Sequence, residues 1–314
     1  MARRFFWFTV LILFALTAYT GGWYWAADRL VQEVQARTGD LPGGRHLECE
    51  NPQAKGFPFR IGLYCDSIAY SASGMAIEGG ALRSAAQIYN PFRLVAETDA
   101  PARLTFAGYV PFDLNWENAR GSTRLALPEP MPEIVSTELT GFAMTADIDG
   151  KPALLTADRL EVHMRPAGRD IELALRFQGL ATGEILTGGT MAPLTGVVDL
   201  VWKDGMARLG RGIAGSQFTV RSIDLAAAGG GRLTATGTAG VGEDRLIDAD
   251  LTLTAENVAG LTAVIGRAFP AVAAQVTTVA AGLSAMGEKP SLPLRIADGA
   301  ITLGFLPLGS LPPL

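Results

Sequence analysis

The sequence predicts an α+β protein, predominantly antiparallel β, with an N-terminal transmembrane helix and a curved β-rich body that carries a C-terminal helical insertion. Three observations carry this expectation. Residues Phe5 to Ala27 contain no charged side chain. Most of the chain beyond them falls into short segments that alternate apolar with polar residues and are separated by Asp-Gly and Gly-rich turns. One late stretch, Asn257 to Met286, is instead Ala-rich and apolar at helical spacing.

The expected layout is a cytoplasmic tail over residues 1–4, a transmembrane anchor over 5–27, a stalk helix and linker over 28–44, and a β-rich body over 45–314. A sub-domain boundary is expected near 128–132, in the run Pro128-Glu129-Pro130-Met131-Pro132. The anchor is long enough for a bilayer core, which takes about 20 helical residues. Arg3 and Arg4 stand ahead of it, and basic residues favour the cytoplasmic side. Trp23, Tyr24 and Trp25 close it with rings suited to the membrane–water interface. A cleaved signal peptide is the rival reading. It calls for an apolar region of only ~7–15 residues ending at small residues. Thr20 and Gly22 are small, but the aromatic cluster behind them disfavours cleavage. Beyond the anchor, Leu30, Val31 and Val34 share a helical face, and the run Gly39 to Gly44 ends that helix with turn chemistry.

Composition narrows the partners. The chain of 314 residues is 48% hydrophobic, enough for a sizeable core, and its net charge is −5. Because Arg3 and Arg4 precede the span, the remainder carries −7. An acidic body with no basic run argues against non-specific binding to nucleic acid or to anionic lipid surfaces. The implied partners are the membrane, through the N-terminal helix, and a lipid or another envelope protein.

Cys49 and Cys65 are the only cysteines. Pro52 and Gly56 favour a reversal between them, and a hairpin would bring them together. The far side of a bacterial inner membrane is oxidising, so a disulfide is expected there. Two cysteines with a distant His are too few for a zinc site, and no C-x-x-C motif is present.

Along the body, LTFAGYVPFDLNW, LLTADRLEVHMRP, DIELALRFQGL, GVVDLVWKD, QFTVRSIDLAAA, RLTATGTAGV and DADLTLTAENV read as strands of a meander with one apolar and one polar face. Pro270 interrupts the helical stretch and predicts two helices or a sharp kink, packed on the apolar face of the sheet. The ending, LPLRIADGAITLGFLPLGSLPPL, reads as a hairpin followed by a proline-rich apolar tail.

The run Cys49…Gly56-Phe57-Pro58-Phe59-Arg60…Cys65 resembles the hallmark of a family of uncharacterised alphaproteobacterial envelope proteins, the domain of unknown function 2125. Tyr89-Asn90-Pro91-Phe92-Arg93, Ala100-Pro101-Ala102, and the ending Asp298-Gly299-Ala300…Leu303-Gly304…Pro307-Leu308-Gly309 resemble the same family. The resemblance implies an envelope protein of no known activity. The terminal strand-and-proline pattern is also, more faintly, similar to AsmA-like envelope proteins, which implies a curved sheet offering a groove to lipids.

Chemistry is sparse. His46 and His163 are the only histidines. Glu161, His163 and Arg165 alternate with Leu160, Val162 and Met164, which places His163 on a polar strand face. Gly210-Arg211-Gly212-Ile213-Ala214-Gly215 spells a G-x-G-x-x-G, but a strand-like segment stands behind it where a dinucleotide site needs a helix. Asp147-Ile148-Asp149-Gly150 reads as a hairpin turn rather than a calcium loop, which needs further oxygen ligands. No catalytic, cofactor or metal residue is assigned. Three functions stay open: binding of a lipid or other apolar ligand in a sheet–helix groove, a scaffold for another envelope protein, and a periplasmic hydrolase whose site distant residues assemble.

The arginines ahead of the span and the cysteines behind it predict a body outside the cytoplasm. An alkaline phosphatase fused to the C-terminus in a bacterial host should be active. An inactive fusion, with a fluorescent C-terminal fusion that matures only in the cytoplasm, would reverse the topology.

Overall fold

The computed structural model describes residues 2–72, 74–126, 131–209 and 212–313. The core of the expected boundary, residues 128–130, lies outside the described residues. The chain divides into two compact units, Met1–Asp113 with Arg120–Arg124, and Leu114–Ala119 with Leu125–Leu314.

The first unit opens on α1 (Ala2–Arg37), one unbroken helix. It is long and apolar enough to cross a membrane. No break separates an anchor from a stalk at residue 28, because Ala26 to Arg37 has no Gly or Pro to interrupt the backbone ladder. The segment 38–44 follows. It holds β1 (Gly39–Leu41) and the turn into β2 (Arg45–Cys49). Then come β3 (Gln53–Lys55), β4 (Arg60–Cys65), β5 (Ile68–Ala72), β6 (Met75–Gly79), β7 (Leu82–Gln87), β8 (Asn90–Thr98) and β9 (Ala102–Phe106).

These strands form two antiparallel ladders. One runs β1–β2–β5–β6–β9. The other runs β3–β4–β7–β8. Cys49 in β2 and Cys65 in β4 are bonded, with Cα atoms 5.3 Å apart. The hairpin expected between them exists, but it is β3 on β4 and excludes Cys49. The disulfide therefore ties one ladder to the other. Cys65 is buried, and the amides of Glu50 and Asp66 reach across the same junction to Ser67 O and Glu50 O. A disulfide closing a loop of this length contributes about 3 kcal/mol by the chain-entropy argument. β4 and β7 approach so closely that a Cβ on Gly62 would lie 1.7 Å from Ser84 O.

β10 (Phe112–Asn115) and β11 (Asn118–Ala126) have residues in both units. The second unit is a meander: β12 (Met131–Ala146), β13 (Ala153–Ala167), β14 (Asp170–Thr182), α2 (Glu184–Thr187), β15 (Leu194–Lys203), α3 (Gly205–Arg208), β16 (Gln217–Ala227), β17 (Arg232–Val241) and β18 (Ile247–Glu256). α4 (Val258–Ala268), a 3₁₀ turn (Pro270–Val272) and α5 (Ala273–Ser284) come next, then β19 (Ser291–Ala297), β20 (Ala300–Leu303) and β21 (Leu306–Ser310). Each strand from β12 to β21 pairs antiparallel with the next. Register shifts at Met144/Thr145, Phe177/Leu180, Asp199/Leu200 and Val220/Ile223 mark bulges, which bend and twist a sheet locally.

Pro270 divides the helical insertion in two, as its missing amide requires. The insertion meets the apolar face at one end only, rather than packing along it as expected. It leaves β18 at Glu256 and returns at Ser291, so both of its ends are tied to one end of the strands. α4 buries Val258, Val264 and Ala268 and meets the β16–β17 turn at Gly230 and Gly231, while α5 buries no residue. The C-terminal segment is also more regular than a tail, because residues 306–310 add a further strand to β20.

Cys65→Ser should lower the stability of the purified full chain by about 2–5 kcal/mol, read as a lower thermal midpoint under non-reducing conditions. Full thiol labelling of both cysteines in the unreduced, denatured wild type would disprove the bond.

Candidate functional site: an open apolar sheet face

Side chains alternate between faces along a strand, so the pairing register determines which residues meet. In the second unit one row runs across the sheet as Val162, Leu175, Val198, Ile223, Ala235, Leu253 and Leu292. The next row, on the same face, runs Met164, Leu173, Leu200, Val220, Gly237, Leu251, Leu294 and Leu303. A third carries Leu160, Phe177, Gly196, Leu225, Leu233 and Ala255. Phe177 lies over Gly196, where an added Cβ would stand 2.6 Å from the ring.

Among the described residues this face is one layer thick over most of its width. Val220, Ala249 and Leu251 form a buried cluster, and the side chains packed against it come from the same sheet: Leu200, Ile223, Ala239, Leu253, Leu294 and Ile296. At one end α3 closes over Ile171 and Trp202, with Gly205 in contact with both. There Trp202 stacks on Phe218 at 5.9 Å, and its Nε1 is buried without a hydrogen-bond partner among the described residues. At the other end α4 touches the sheet near Gly231. Between these ends Leu173, Leu175, Val198, Leu200 and Ile223 remain half-buried, and Val162 is 42% exposed. Full burial of such a side chain contributes about 1.5–3 kcal/mol, so much of that stabilisation is still available to whatever covers the face.

The opposite face is a lattice of ion pairs. Arg221 and Arg165 converge on Glu172, and the first of these bonds is 2.6 Å long. Arg159 joins Glu138 and Glu161 at 3.2 and 2.7 Å. Arg232 Nε donates to Asp224 at 2.7 Å, and Lys289 meets Glu256 at 2.7 Å. Arg221, then Arg165, hold the Glu172 carboxyl below its ordinary range. Arg232 does the same for Asp224, and Lys289 for Glu256. These acids stay ionised as pH falls toward their usual pKa values, so this face stays charged and wet. Carboxylates held low add stability at neutral pH and lose it in acid, once pH falls through the depressed values.

His163 lies on the polar face, as the strand parity indicates. Its Nδ1 is 2.9 Å from Ser136 Oγ and its Nε2 is 3.6 Å from Glu161 Oε2. Sequence reading missed Ser136, since the two residues meet through register across β12 and β13. The trio has the members of a hydrolytic triad but not its setting. Glu161 is engaged by Arg159, and the imidazole is 40% exposed. β13 is flanked by β12 and β14, which engage its backbone amides, and the helix that begins beside it, α2, meets it at Leu154, near the strand end remote from His163.

The remaining motifs take structural places. Asp147 to Gly150 sit in the β12–β13 turn, with Lys151 N bonded to Ile148 O. Among the described residues no group of three metal-ligating side chains occurs. Gly210 and Arg211 of the G-x-G-x-x-G lie outside the described residues, and the strand β16 comes directly after the motif. His46 pairs with Asp40 at 2.9 Å in an exposed hairpin. The family-like residues Phe57, Pro58, Phe59 and Arg60 are far from any of this in sequence and belong to the first unit, where they pack against α1. Trp23 Nε1 donates to Arg60 O at 2.9 Å, the Tyr19 hydroxyl donates to Pro58 O, and Phe57 meets Trp23 edge-on at 5.4 Å.

His163→Gln and Ser136→Ala should each leave stability within about 0.5 kcal/mol of wild type, as substitutions on a polar face away from the core do, and should leave hydrolysis of activated acyl esters at the uncatalysed rate. Wild-type turnover abolished by either change would move the trio to the centre of the function.

No curated protein matches the chain. A family model does match, over residues 23–312, beginning at Trp23 within α1. The chain belongs to the DUF2125 family, described as uncharacterized proteins conserved in bacteria.

Proposed function

We propose that this is a non-catalytic, membrane-anchored envelope protein whose second unit binds the acyl chains of a lipid on its open apolar face. In this reading α1 spans the inner membrane with its N-terminus in the cytoplasm and the two units in the periplasm. The disulfide, which persists in oxidising compartments, agrees with that side. One observation carries the ligand assignment: three adjacent apolar rows cross the strands on a face that no second layer covers among the described residues, while the other face is saturated with ion pairs. A slender, featureless apolar chain suits such rows, because they offer area without convergent polar groups to recognise a head group.

A scaffold role has a specific observation in its favour as well. β21 pairs with β20, all five of its residues are exposed, and Leu306 and Leu308 are among them. Such an edge is a template for a partner strand.

Native mass spectrometry of the detergent-extracted full chain discriminates the two. Lipid adducts should accompany the wild type. Val162→Glu with Leu175→Glu should reduce them roughly tenfold or more, since each lost methylene contact is worth about 0.8 kcal/mol, with cooperative unfolding retained. A lipid-free wild type, or adducts equal in a folded variant, would overturn the acyl-chain assignment.

A further inference from the structure

The first unit holds a second exposed apolar feature, beside the last turns of the uncharged run of α1. The loop of residues 57–60 is pinned to the helix by contacts to Tyr19, to Trp23 and, by stacking at 5.8 Å, to Tyr24. The turn between β7 and β8 lies against the same loop. Ile88 N donates to Phe59 O at 3.1 Å, and Arg60 pairs with Gln87. The two family-like segments, Gly56–Arg60 and Tyr89–Arg93, therefore form one tip.

That tip sits low on the helix. Ala27 is the last uncharged residue before Asp28 and Arg29. Tyr19 precedes Ala27 by eight residues, about 12 Å at 1.5 Å per residue, so the contacts span the outer margin of the apolar segment rather than the charged part beyond it. The side chains of the tip suit that depth. Phe59 is 70% exposed and Tyr89 77%, and neither covers a core. The charges suit it too. No acidic residue lies between Glu50 and Asp66 or between Glu78 and Glu97, whereas Lys55, Arg60 and Arg93 fall inside those stretches. In an otherwise acidic chain this is a basic, aromatic tip, complementary to phosphate above and hydrocarbon below.

We infer that the joined 57–60 and 88–93 segments form a wedge that inserts into the outer leaflet of the bilayer that α1 spans, with Phe59 and Tyr89 among the acyl chains and Arg60 and Arg93 at the phosphates. This rests on the reading that α1 is a membrane span, and not on lipid binding by the second unit. The wedge holds the first unit down against the membrane surface, which the span by itself would not do. The unbroken run of α1 to Arg37 supplies the rigid post against which the tip is fixed.

The test uses the full chain in proteoliposomes of phosphatidylcholine and phosphatidylglycerol, with p-benzoylphenylalanine placed at one site at a time. Leu11 within the span reports insertion, Phe59 and Tyr89 report the wedge, and Glu48, exposed beside the disulfide, reports background. Light should give lipid adducts at 11, 59 and 89, and none above background at 48. Arg60→Glu with Arg93→Glu should abolish any preference for phosphatidylglycerol in the adducts at 59. Adducts at 11 without adducts at 59 and 89 would overturn the wedge alone. Adducts at none of the three would overturn the span with it. A strong adduct at 48 would overturn the wedge equally, by showing that lipid contact is not confined to the tip.

Discussion

An antiparallel ladder presents its side chains to the two faces with a period of two, and the second unit depends on that constraint. From β12 to β21 each strand pairs with the next, so the alternation in each segment adds to that of its neighbour instead of cancelling it. Val162, Leu175, Val198 and Ile223 fall into a line for this reason alone. The same arithmetic drives Glu161, Arg176, Glu172 and Arg221 to the other side. Ion pairs there keep the face solvated. A sheet sorted this sharply needs a second layer over its apolar side, and the described residues supply small covers at the two ends, α3 and α4.

The bulges matter to the same constraint. A shift of one residue would exchange the faces. Between Val220 and Ile223 β16 carries an extra residue against both β15 and β17, yet both residues keep to the apolar face, opposite Gly237 and Ala235. Each slip turns the strand and restores the sorting beyond it. Gly196 and Gly237 have a related role, since both sit within apolar rows where a Cβ would collide, one with Phe177 and the other with Asp250 O.

The first unit is held by different means. Its strands are short, its buried residues are mostly Ala and Cys, and a small core of this kind is stabilised by a covalent tie between its ladders. Aromatic packing on α1 adds to this. Trp23 is buried between the helix and the loop that begins after Gly56. The residues that identify the family in the sequence are thus the ones that join helix to sheet, a structural reason for a motif that shows no reactive chemistry.

Much of this was legible from residue order. The apolar run Phe5–Ala27 marked the helix, because a long uncharged stretch admits few other conformations. Alternation and Asp-Gly turns marked the strands of the second unit, since period and turn chemistry are local properties. Pro270 marked the break between α4 and α5 for the same reason. What tertiary structure decided was non-local. Cys49 and Cys65 lie in different ladders and not in one hairpin, because β2 pairs with β5 and leaves β4 to β3 and β7. The helical insertion sits at a strand end and leaves the apolar face open, because its two ends are tied to the same end of β18 and β19. Ser136 meets His163, and Tyr19 meets Pro58, across 27 and 39 residues of chain. No local pattern encodes such meetings, since they arise from register and packing between elements that the sequence keeps apart.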